Sequence, residues 1–206
     1  MRAAAFILTF FLLIPKTFSA PPTLAYVLQA ENLAKTRAQS IDILAKCDRD
    51  LLVLDPFFQA NDRYTSKEIE QIRAAKFGRK ILAYLSVGEA ENYRPYWQKD
   101  WKPGRHPEFL LGENPEWKGN FRVKYWQPAW QLIILAQIDA LLPQQFDGLY
   151  LDILDGFETF EFNPTTKDYE DDKLNPETNK TYRQDMIEFV QLIATRLRAK
   201  NKTALL

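Results

Sequence analysis

Three times in this chain an apolar run leads directly into carboxylates: Leu51-Leu-Val-Leu-Asp55, Ile81-Leu-Ala-Tyr-Leu-Ser-Val-Gly-Glu89-Ala-Glu91 and Gly148-Leu-Tyr-Leu-Asp152-Ile-Leu-Asp155. A charge at the end of a buried strand must be desolvated unless the strand opens there onto a polar cavity or supplies a partner. Parallel strands flanked by helices meet that condition, because their carboxyl ends form the rim on which ligands bind. The feature therefore selects for a parallel α/β fold and marks one rim of it as a site.

The segments between these runs carry the helical period. Leu24 to Leu28 predicts a first strand and Asn32 to Lys46 a helix; Leu51 to Phe57 predicts a second strand. Ser66 to Phe77 predicts a helix with Ile69, Ile72 and Phe77 on one side, Thr65 or Ser66 as its cap and Gly78 as its stop. A third strand over Lys80 to Val87 leads into a long segment, Asn92 to Gln127, before Pro128 opens a helix through Leu141. Gly148 to Ile153 predicts a fourth strand, Tyr182 to Ala199 an amphipathic helix, and Thr203 to Leu206 the start of a fifth strand.

This alternation predicts a TIM (β/α) barrel of parallel strands or a doubly wound sheet. No glycine-rich phosphate loop follows the first strand, and the chain holds only seven glycines, which favours the barrel. A complete eight-stranded barrel needs about 250 residues. The expectation for these 206 residues is an incomplete barrel of about four βα units and the start of a fifth strand, in a single domain.

Residues 1–19 read as a secretory signal peptide: Met1-Arg2, an apolar run from Ala3 to Ile14, and small residues near Ser19. That run is shorter than the roughly 20 residues a membrane span requires. The expectation is a secreted or periplasmic protein with no stable membrane insertion once the signal is removed, and a barrel domain over residues 20–206. Setting aside Arg2 and Lys16 leaves 25 basic side chains against 27 acidic ones. The small acidic excess argues against a nucleic-acid partner. Cys47 is the only cysteine, so no internal disulfide can form.

Alternation on the fourth strand sends Leu149, Leu151 and Ile153 to the helices and Tyr150 and Asp152 inward, with Asp155 in the loop above. On the third strand Ala83, Leu85 and Val87 face the helices, while Tyr84, Ser86 and Gly88 face inward. Strict parity then turns Glu89 outward, and a break or bulge at Gly88 is the alternative that would bring it in. Paired carboxylates are what glycoside hydrolysis requires. All five tryptophans, Trp97, Trp101, Trp117, Trp126 and Trp130, fall in or just after the long third loop, where they build a satellite core or stack on sugar rings. His106, the only histidine, gives no support for a catalytic triad or a histidine metal site. No metal and no cofactor is expected, and the acidic stretch Asp168 to Asp172 lacks the glycine turn of a calcium loop.

The segments Tyr84-Leu-Ser-Val-Gly-Glu-Ala-Glu-Asn-Tyr-Arg94, Trp117-Lys-Gly-Asn-Phe-Arg-Val-Lys-Tyr-Trp126 and Phe146-Asp-Gly-Leu-Tyr-Leu-Asp-Ile-Leu-Asp155 resemble the glycoside hydrolase family 114 TIM-barrel group, which includes endo-α-1,4-polygalactosaminidases. The resemblance implies an exported hydrolase of an α-1,4-linked galactosamine polysaccharide, with Asp152 matching the family's fourth-strand catalytic acid. Asp55, Tyr84, Glu89, Glu91, Tyr93, Arg94, Trp126, Tyr150 and Asp155 are the candidate substrate-binding residues. The family's second catalytic carboxylate is expected on a later strand, so a truncated and impaired enzyme is the corresponding expectation. A non-catalytic carbohydrate-binding protein on a partial barrel is the alternative, and a homodimer that completes the barrel is a further one with no residue arguing for it.

Overall fold

The computed structural model describes residues 21–59 and 61–206. The proposed signal segment therefore lies outside the described residues. In chain order the elements are β1 (Leu24–Val27), α1 (Arg37–Lys46), β2 (Leu51–Leu54), β3 (Phe57–Gln59), β4 (Asp62–Arg63), α2 (Ser66–Ala74), β5 (Lys80–Ser86), β6 (Glu89–Glu91), β7 (Leu110–Glu113), β8 (Asn120–Val123), α3 (Pro128–Leu141) and β9 (Gly148–Asp152). A short helix α4 (Glu158–Glu161) and two small hairpins follow, and then α5 (Tyr182–Lys200).

Strands β1, β2, β5 and β9 form one parallel sheet in that order, with Leu54 level with Val27 and Ala83, and Ser86 level with Asp152. Leu205 bridges Gly148 in the parallel sense, so the predicted fifth strand begins beside β9. The backbones meet there so closely that a Cβ on Gly148 would sit 2.1 Å from the Leu205 carbonyl oxygen. Consecutive parallel strands, each followed by a covering helix, make an incomplete (β/α) barrel.

Strand alternation divides the core as expected. Leu52, Leu54 and Ile81 pack on Ile41 and Leu44 of α1 and Ile69 and Ile72 of α2. Ala83, Leu85 and Leu149 pack on Trp130, Ile134 and Ile138 of α3 and Met186, Phe189 and Ile193 of α5. Val53, Leu82 and Tyr84 lie on the opposite, inner face. Three helix starts are set by threonines, and α3 opens on Pro128. Thr36 caps α1, and Thr65 with Glu68 and Thr181 with Gln184 form capping boxes on α2 and α5.

Four local expectations are corrected. The second strand ends at Leu54, because Pro56 has no N–H for the ladder and the chain turns away into the β3–β4 hairpin. The first helix starts at Arg37, at the Thr36 cap, rather than at Asn32. Helix α2 ends at Ala74, which leaves Phe77 beyond it and fully exposed. The long third loop is also partly ordered as a sheet, with β8 between β6 and β7, all antiparallel.

Beneath the strands, buried Arg79 donates to the carbonyls of Leu44 (3.3 Å), Ala45 (3.0 Å), Arg49 (3.1 Å) and Ile72 (2.6 Å), and also to that of Cys47. A single guanidinium thus satisfies carbonyls left over at the ends of α1 and α2.

Candidate active site

The strand-end acids fall into three different environments. Asp55 follows β2 and takes both arms of the Arg94 guanidinium, Nη1 to Oδ1 at 2.9 Å and Nη2 to Oδ2 at 2.7 Å, together with the Phe57 N–H at 2.9 Å. Glu91, at the end of β6, accepts from Arg94 Nε at 2.6 Å and Nη2 at 3.3 Å, and from the Tyr93 hydroxyl at 2.5 Å. The Arg94 guanidinium also lies against the rings of Phe57 and Tyr93. Burial works against its charge, but Asp55 and Glu91 outweigh that cost and hold it more firmly cationic than a free arginine. Asp55, Glu91, Tyr93 and Arg94 are therefore brought together, and the two carboxylates share one cation that ties β2 to β6. Their chemistry is that of a strut beside the cleft.

Asp152 differs. It ends β9 on the inner face, and its Oδ2 accepts the Tyr84 hydroxyl at 2.8 Å. Among the described residues its Oδ1 receives no protein donor. Burial first, and then the charges of Glu91 and Asp152, raise the Tyr84 phenol well above its ordinary range, so it stays protonated and keeps donating. Tyr84 and Tyr150 pack around Tyr26 of β1, with ring centroids 6.2 and 5.3 Å from it. Tyr26 is a member of this inner group that sequence reasoning missed. In β1 it lies level with the inner-face residue Val53.

Glu89 occupies the third environment. The break at Gly88 is real: β5 stops at Ser86, and Glu89 begins β6 in the antiparallel sheet. Strict continuation of the strand parity is thus overturned. Glycine is needed at 88 because a Cβ there would lie 2.2 Å from the Ile153 carbonyl oxygen. Glu89 is buried, with Oε1 accepting from Asn114 Nδ2 at 2.8 Å and Oε2 without a partner among the described residues. Burial pushes its carboxyl above the usual range, against the opposing pull of Asn114, Asn120 and Arg122.

The remaining candidates lie apart from these contacts. Asp155 sits exposed in the 3₁₀ turn Leu154–Phe157 above β9. Trp126 packs with Tyr125, Phe160 and Tyr182, and its indole N–H donates to Glu177 at 2.8 Å, which makes it part of a loop-anchoring cluster. Trp97, Trp101 and Trp130 interlock with Tyr96, Phe109 and Phe121 as a satellite core, while Trp117 is exposed. Among the described residues, no group of three or more His, Cys, Asp or Glu is arranged to hold a metal, and no helix is long and apolar enough to cross a membrane.

Comparison with known proteins places this geometry. An uncharacterized protein of Deinococcus radiodurans is 43% identical over 152 residues, covering 74% of this chain and 43% of the relative. The uncharacterized protein MJ1477 of Methanocaldococcus jannaschii is 40% identical over 131 residues, covering 63% of this chain and 37% of the relative. The matched part of the chain thus spans less than half the length of these relatives. Among solved structures, Aspergillus fumigatus Ega3 in complex with galactosamine superposes with a TM-score of 0.53 at 21% identity, covering 87% of this chain and 55% of that one. The glycoside hydrolase domain of PelA from Pseudomonas aeruginosa does so with a TM-score of 0.55 at 16% identity, covering 89% and 58%. At these identities the structural likeness speaks for the fold. Residues 18–206 match the model of glycoside-hydrolase family GH114, and the chain belongs to that family.

Proposed function

We propose that this chain carries part of the active site of an exported glycoside hydrolase acting on an α-1,4-linked, galactosamine-containing polysaccharide. Residues 1–19 act as the signal peptide and 20–206 as the barrel domain. One observation carries the reading: in a GH114 chain, Asp152 stands at the carboxyl end of an inner barrel strand, with one oxygen held by a neutral donor and the other without a protein donor among the described residues.

Glycoside hydrolysis uses two carboxylates, one protonating the leaving oxygen and one attacking the sugar or activating water. Asp152 supplies one of them. Tyr84 fixes the orientation of its carboxylate without cancelling its charge. Asp55 and Glu91 are poor candidates for the second, since Arg94 holds both; that role falls to a strand later than β9, as the family resemblance implies. Free galactosamine units are cationic, which suits a rim whose carboxylates outnumber its single buried arginine. The structure of Ega3 with galactosamine supports this choice of sugar.

The test is release of reducing ends from partly deacetylated α-1,4-galactosamine polymer by the parent chain and by Asp152→Asn. Equal, measurable rates in the two would remove Asp152 from the chemistry, whereas little or no release by the parent accords with a second carboxylate on a later strand. The second reading, a protein that binds the polysaccharide without cleaving it, draws on the same saturation of Asp55 and Glu91. Calorimetry supports it if oligosaccharide binds and is recovered intact, and an absence of binding counts against it.

A further inference from the structure

Ile153, the residue directly after Asp152, has φ +58° and ψ +40°, the left-handed region. A β-branched residue is strongly disfavoured there, and it persists only where its surroundings over-determine it. Those surroundings are two glycines. Gly88 brings its backbone so close that any Cβ would lie 2.2 Å from the Ile153 carbonyl oxygen and 2.7 Å from its Cγ2. Gly156 approaches less closely, since a Cβ there would lie 3.3 Å from Ile153 Cγ2, and its N–H donates to the Ile153 carbonyl at 3.2 Å. The isoleucine side chain fills the space the glycines leave.

The left-handed residue makes the chain turn immediately beyond Asp152, and it does so while Asp152 is gripped twice from the β5 side. The Val87 N–H donates to the Asp152 carbonyl oxygen at 3.1 Å, and the Tyr84 hydroxyl donates to its carboxylate. Val87 is fixed in turn by the buried Trp130 indole, which donates to its carbonyl at 2.8 Å. Ile153 follows directly on the residue that both grips hold.

We propose that Ile153, wedged between Gly88 and Gly156, is a positioning residue that holds the Asp152 carboxylate against the Tyr84 hydroxyl. The proposal rests on the reading of Asp152 as a catalytic carboxylate. Replacing the wedge with a residue content in the same conformation, Ile153→Gly, relieves the backbone strain but frees the turn. Ile153→Val keeps the β-branch and the packing.

The deciding measurement is the ¹³Cζ resonance of Tyr84 in tyrosine-labelled full chain, which reports donation to the carboxylate whether or not the chain hydrolyses anything. Asp152→Ala marks its position when the bond is lost, and circular dichroism confirms that each variant is folded. Ile153→Gly is expected to shift the resonance most of the way to the Asp152→Ala position, with Ile153→Val remaining at the parent position. A parent-like resonance in folded Ile153→Gly overturns the proposal, whatever happens to its melting temperature. In a polymer assay the same variant is expected to lose about tenfold or more in kcat with KM little changed. Should Asp152→Asn hydrolyse as fast as a measurably active parent, the functional reading falls, while the Tyr84 resonance still decides whether Ile153 positions the side chain.

Discussion

Strand β9 is flanked by two aspartates with opposite fates. Asp147, just before the strand, accepts from the Ile81 N–H at 2.9 Å, Arg73 Nε at 3.0 Å and Lys80 Nζ at 3.2 Å. Burial pushes its carboxyl up, but the Ile81 amide and Arg73 outweigh burial and leave it below its ordinary range. Asp152, at the other end, meets a single neutral hydroxyl. Both are acids at the end of the same strand, so position alone does not distinguish a structural acid from a chemical one. The difference lies in the partners: cations and amides consume lone pairs, whereas one phenol orients a carboxylate and leaves it available.

Substitution at the two ends should separate these roles. The largest effect expected is on hydrolysis by Asp152→Asn, a loss of about 10³-fold or more, equivalent to about 4 kcal/mol of transition-state stabilisation. Its urea midpoint should stay near the parent's, and a large loss of stability there would erase the contrast. Asp147→Ala should do the reverse, lowering unfolding free energy by about 3 kcal/mol through the stranded Arg73 and Ile81 donors. Urea titration followed by circular dichroism checks it, and a change below about 0.5 kcal/mol would place Asp147 among ordinary surface acids.

Tyr84→Phe removes the one grip on the Asp152 side chain and should cost about 1 kcal/mol of stability. Its hydrolytic rate should fall several-fold while substrate binding holds, as read from a kcat and KM comparison. The smallest effect concerns Glu89. Its folded-state carboxyl titrates above the unfolded value, so the folded protein binds that proton more tightly. The contribution is therefore fully present at low pH and is lost as pH rises from the ordinary glutamate range through the raised folded value. Glu89→Gln, which keeps an acceptor for Asn114, should flatten the stability profile in that window; an unchanged slope between parent and variant would sink the assignment.

Much of this architecture is legible in one dimension. The inward parity of Tyr84, Tyr150 and Asp152 follows from strict alternation over short strands, and Thr65 announces the start of α2 through side-chain capping. Glu89 marks where such reading stops: its orientation depends on whether the chain remains in the strand after Ser86, and that is decided by the close approach of Ile153 to Gly88, residues far apart in sequence. Arg94 illustrates the same limit. Its proximity to Glu91 is local, but its bidentate grip on Asp55 spans 39 positions and turns two candidate site acids into a strut. Arg79 carried no visible pattern, since its partners are backbone carbonyls, which every residue possesses.

The sequence by itself determined the order of the βα units of the parallel sheet, the inward or outward parity along its strands and the family to which the chain belongs, because these depend on periodicity and on local motifs. Tertiary structure alone decided which acids remain available. A carboxylate's reactivity is set by the donors and charges that surround it, and those arrive from other strands and loops through folding.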